Sequence, residues 1–97
     1  MGSPNLKQLG KYQKRILRDM ARKGYIISCL MNHFEYTECD ICLQDKEGEN
    51  VHGKIEGKIL EAMGKRGLFI QTVFEPNIHQ TIITFNLKEE VKKIFLD

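Results

Sequence analysis

"VHGKIEGKILEAMGKRGLFIQTVFEPNIHQTIITF", residues 51–85, changes its hydrophobic period partway along, and that change decides the fold class. Val51, Ile55, Ile59 and Met63 recur every fourth residue and Leu60 widens the stripe, the spacing of a helix with one apolar face. Lys54, Lys58, Glu61 and Lys65 fall on the other side, with Glu61 four residues before Lys65 in the favourable order for an ion pair. The helical period stops at Gly67. A glycine just after Lys65 and Arg66, followed by Leu68, is the pattern of a helix end with a left-handed cap and a hydrophobic contact. "FIQTVF" and "QTIITF" are then rich in β-branched and aromatic residues and flank "EPNIH", whose Pro-Asn pair signals a turn. The stretch predicts a helix over 51–66 that runs directly into a β-hairpin.

The same reading extends in both directions. Upstream, Leu6, Leu9, Ile16, Leu17, Met20 and Ala21 recur at helical spacing over residues 5–23, and Gly24 follows two basic residues as a stop. "YIISCLM" and "YTECDICLQD" read as two strands linked through "NHFE", and "KEGEN" supplies turn chemistry after the second. Downstream, Asn86 with Glu89 three residues later has the form of a helix cap, and Leu87, Val91, Ile94 and Phe95 line a short closing helix. The expected order is α-β-β-α-β-β-α, an α+β single compact domain spanning 1–97, with residues 1–4 set outside the fold. Gly53 and Gly57 inside the expected second helix cost about 1 kcal/mol each relative to Ala. Their spacing makes a smooth strip suited to close approach of another helix or of a nucleic-acid backbone.

The charge balance is uneven. The net charge is +2, yet residues 1–24 carry seven bases against Asp19 alone, and residues 35–50 carry six acids against Lys46 alone. A domain so polarised meets different surroundings on its two sides. No apolar run reaches the roughly 18 residues of a membrane span. The N-terminal "MGSPNLKQLGKYQKR" lacks a signal-like apolar centre, so a cytoplasmic protein with reduced thiols and no membrane partner is expected.

Cys29, His33, Cys39 and Cys42 have the types and number of a structural zinc site. The alternation of "ECDIC" argues otherwise, because residues three apart on a strand face opposite sides. Cys39, Ile41 and Leu43 are expected to face the core, with Glu38, Asp40, Cys42 and Gln44 outside, and no metal or other cofactor is expected. His52 and His79 have no nucleophile placed beside them in a catalytic motif, and the acids of 35–50 lack calcium-loop spacing. The expectation is a protein that is not an enzyme.

The segment ending in "KRGLF" and passing into a hairpin resembles the recognition helix and wing of winged-helix DNA-binding domains. "LGKYQKRILRDMARKG" is similar to the first helix of that family, and "ITFNLKEEVKK" to the segment after the wing. In this chain a hairpin takes the place of the family's second helix. The resemblance implies double-stranded DNA as partner and transcriptional regulation as role. Carried onto this sequence, it makes the exposed face of the 51–66 helix the groove reader, with His52, Lys54 and Lys58 toward its N-terminal half, Lys65 at the root of the wing and His79 near its tip. The residues themselves add a basic face on the first helix, Lys11, Lys14, Arg15, Arg18 and Arg22, suited to tracking phosphates. The alternative expectation is a protein-interaction module, in which the acidic hairpin and basic helix bind a protein partner or a second copy as a homodimer.

Overall fold

The computed structural model describes residues 5–33, 37–51 and 53–96. Its elements follow the expected order: α1 (Lys11–Lys23), β1 (Ile26–His33), β2 (Thr37–Gln44), α2 (Gly57–Gly64), β3 (Phe69–Asn77), β4 (Gln80–Leu87) and α3 (Glu89–Leu96). The strands form one antiparallel sheet in the order β2-β1-β4-β3. Strand alternation divides the sheet into two faces. Ile27, Cys29, Ile41, Leu43 and Leu87 are all buried, and they occupy alternate positions facing the same way. Ile16, Leu17, Met20 and Ala21 of α1, Leu60 and Met63 of α2 and Val91 of α3 complete that single core, so all three helices lie on one side of the sheet. The opposite face carries Ile26, Ser28 and Leu30 of β1, Asp40 and Cys42 of β2, and Ile82 and Thr84 of β4. It has no helical layer among the described residues.

Where elements begin and end differs from expectation at three places. The first helix starts at Lys11, not near residue 5. Gly10 is extended, and its N–H donates to Gln13 Oε1 at 3.2 Å, which caps the helix there. Leu6 and Leu9 still pack on the core, but through a turn that includes Gln8 at φ 58°. Arg66, between α2 and β3, holds this turn: its guanidinium donates to the carbonyls of Asn5 (3.2 Å), Lys7 and Gln8 (3.4 Å), and its own carbonyl accepts from Asn5 N–H (2.9 Å).

The second helix is the largest correction. Asn50, Val51 and Ile55 lie along the outer edge of β2, with Val51 N–H donating to Leu43 O (2.9 Å) and Ile55 N–H to Ile41 O (2.8 Å), and the helix begins only at Gly57. A spacing of four fits a strand as well as a helix, because residues two and four apart share a strand face. The glycines resist the helical option, while the edge of β2 offers hydrogen-bond partners to an extended chain. Gly53 is therefore not helical, and the glycine strip does not form. The helix also ends at Gly64, two residues early, and a tighter turn carries the chain to Gly67, which is left-handed at φ 71° as expected, with Leu68 behind it fully buried. The third difference is the last cap. Asn86 remains in β4, and the Lys88 carbonyl accepts the first helical bonds, from Val91 N–H (3.0 Å) and Lys92 N–H (2.9 Å). Residues 1–4, and residues 34–36 of the first hairpin link, lie outside the described residues.

Candidate nucleic-acid interface

An α-helix advances about 100° per residue. Lys11, Lys14, Arg15, Arg18 and Arg22 therefore project within an arc of about 100°, centred opposite the buried Ile16, Leu17 and Met20. All five are exposed, and they span about 16 Å along the helix axis. Among the described residues no carboxylate lies within ion-pair distance of any of them. The only acid on α1, Asp19, lies toward Lys23 (3.9 Å), whose ammonium also stands 5.7 Å from the ring centre of Tyr25. Arg22 has one structural contact, from Nε to the Phe95 carbonyl at 3.2 Å, which ties α1 to α3. What results is a contiguous cationic stripe on one helix face.

The site residues expected around the second helix are placed differently. Lys54 precedes α2, and its ammonium pairs with Asp40 at 2.8 Å. Asp40 faces away from the helical layer, so Lys54 closes a shallow hollow on the open sheet face with Ser28, Leu30, Cys42 and Asn50. That face is across the sheet from α1. Lys65 pairs with Glu61 at 3.3 Å, as their spacing predicts. Lys58 is exposed on α2. His79 sits in the β3–β4 turn, where its N–H donates to Asn77 Oδ1 (2.9 Å) and its carbonyl accepts from His33 N–H (2.7 Å). His52 lies outside the described residues. The five side chains of α1 are thus brought together, whereas Lys54 is held on the other side of the sheet from them.

Two acids expected to contribute to the charged hairpin face have internal partners. Asp40 holds Lys54, and Asp45 Oδ1 accepts from Glu47 N–H and Glu49 N–H, both at 2.9 Å, so it shapes the turn after β2. The cysteines divide as their alternation predicts. Cys29 and Cys39 meet on the core side with their sulfurs 2.7 Å apart, and Cys42 lies on the open face. Burial, then the hydrogen bond and charge of Cys39, and lastly the charge of Asp40, push the Cys29 thiol up to about 12.

Sequence reasoning missed the role of Arg66, whose partners lie 58–61 residues away. It also missed β3 as an exposed edge, although the uncharged run Leu68–Phe74 was a visible signal. No family model, curated protein or solved structure matches the chain.

Proposed function

We propose that this chain is a non-catalytic, winged-helix-like DNA-binding domain that holds the duplex by its phosphates through α1. One observation carries the reading: five exposed cations on one helix face, with no acid paired to them among the described residues. Such a stripe attracts any duplex and releases condensed counterions when it docks. The connectivity supports the family part of the proposal. A first helix leads to a strand, a short helix ending at Gly64 passes through the Gly67 turn into a hairpin, and the returning strand β4 pairs with β1. Strand β2 occupies the place of the family's second helix.

In this reading α1 positions the domain on the backbone, and Lys58 is the residue of the α2 helix left to approach the bases. Phosphate contacts fix register without carrying sequence information, so binding through α1 is largely indifferent to sequence. The test compares a mixed-sequence duplex with wild-type protein, Arg15→Ala/Arg18→Ala and Lys54→Ala. Affinity falls for the double variant and holds for Lys54→Ala, whose side chain lies across the sheet. Equal affinities for wild type and the double variant remove the proposal.

A further inference from the structure

The two edges of the sheet are treated unequally. Beyond β2, the Val51 and Ile55 amides of the same chain take up the outward carbonyls of Leu43 and Ile41. Beyond β3, no described segment pairs at all. Which groups that edge presents follows from the ladder. Lys88 N–H donates to Leu68 O at 3.0 Å, so Leu68 and Lys88 form a hydrogen-bonded pair. Antiparallel pairs alternate, so Ile70, Thr72 and Phe74 point their backbone groups at β4, and Phe69, Gln71 and Val73 point theirs outward.

The side chains along this edge are those of an interface. Ile70 is 53% exposed, Val73 55% and Phe74 60%. From Leu68 to Phe74 there is no charged residue, and Pro76 and Glu75 come only at the far end, beside a bulge. Proteins ordinarily blunt a free edge with lysines, prolines or a covering segment. This strand has none of these over its first six residues.

We infer that β3 is the homodimer interface of this protein, pairing antiparallel with β3 of a second copy to make one continuous eight-stranded sheet. A second copy is the occupant that fits. Antiparallel pairing of a strand with itself about a two-fold axis matches every donor with an acceptor, because both sides present the same groups. The uncharged run brings no like charge opposite itself, which is the usual obstacle to self-pairing. Centring the axis on Gln71 engages all three outward residues of each chain in about six hydrogen bonds. Phe69 then lies opposite Val73 of the partner subunit. The area is that of one strand and three or four side chains, at the small end of specific interfaces, below about 1,200 Å² in total. The dimer therefore assembles and dissociates with concentration. The axis stands perpendicular to the sheet, so both helical layers, and both α1 stripes, lie on the same side. This interface does not depend on the DNA proposal.

The test is residue-resolved amide hydrogen exchange on wild-type protein at about 10 μM and about 1 mM, beside sedimentation equilibrium. Protection of the Phe69, Gln71 and Val73 amides rises at least about tenfold at the higher concentration, while Ile70, Thr72 and Phe74 stay protected at both. Gln71→Pro removes an outward donor without touching the β3–β4 ladder, and Val73→Lys places a charge at an already exposed position. Both variants sediment as folded monomers. Three results overturn the inference: a wild-type monomer with no gain in protection at about 1 mM, a dimer that survives both variants, or protection of these amides only when another protein's strand is added.

Discussion

Salt is the sharpest probe of the α1 stripe. If all five cations neutralise phosphates, the slope of log affinity against log salt is about −0.9 for each contact, or about −4.5 in all. Raising salt from about 50 to about 200 mM then weakens wild-type binding about 500-fold. Replacing Arg15 and Arg18 by Ala leaves three contacts and a slope of about −2.7, so the same salt step costs only about 40-fold. These two are the residues to change, because neither has a side-chain partner among the described residues. Arg22 holds the Phe95 carbonyl, and its loss would loosen the packing of α1 on α3 as well. Both variant positions are exposed and opposite the core, so stability should change by no more than about 0.5 kcal/mol. Fluorescence anisotropy with a labelled mixed-sequence duplex, repeated at four or more salt concentrations, reads the slope directly. A slope shallower than about −1 for wild type, or one unchanged in the double variant, would refute the assignment of the stripe to phosphate binding.

Four further expectations concern the fold and its thiols. Gly67→Ala forces a Cβ into the left-handed region at φ 71°, and urea unfolding should show a loss of about 1–2 kcal/mol. Arg66→Ala frees the carbonyls of Asn5, Lys7 and Gln8 to water. The loss should be about 1–2 kcal/mol, with faster amide exchange confined to residues 5–10, and unchanged exchange there would contradict the clamp. Because the Cys29 thiol is raised from 9.0 to about 12, its stabilising contribution is complete below pH 9 and is lost as pH rises toward 12. Wild-type protein should therefore lose stability over that range more steeply than Cys29→Ala. At pH 8.5 iodoacetamide should label the exposed Cys39 at least about tenfold faster than Cys29, as peptide mapping would show.

Features that depend on neighbouring residues were legible in the sequence, and those that depend on distant ones were not. "KRGLF" announced its geometry because a left-handed glycine and a buried leucine are local requirements, and both are met. The sidedness of Cys39 and Cys42 followed from strand alternation alone. The stripe on α1 followed from helical period alone. By contrast, Val51 and Ile55 satisfy two periods at once, and the free edge of β2, not their own spacing, selected the extended one. Leu6 and Leu9 continue the α1 pattern in sequence but reach the core through a turn held by Arg66. Lys54 read as a groove-facing cation until its pairing with Asp40, a residue of another element, placed it on the open sheet face.

The central ladder between β1 and β4 joins Asn32 to Gln80 and Ile27 to Phe85, so it closes a loop of roughly fifty residues, whereas each hairpin closes only its own turn. Hairpins form within microseconds, and the seam between them must wait for its second half. On the ribosome that wait is long, because at about 5–20 residues per second the chain needs several seconds to pass from β1 to the end of β4. During it, the inner edge of β1 has no partner. Once β4 emerges, three strand edges compete for pairing: the facing edges of β1 and β4, and the outer edge of β3. Only the seam between β1 and β4 also lets α3 settle on α1, where Phe95 meets Arg22 across 73 residues of chain. The packing of the last helix on the first thus selects the correct edge, and a chain cut short before Glu89 would be left to choose among all three.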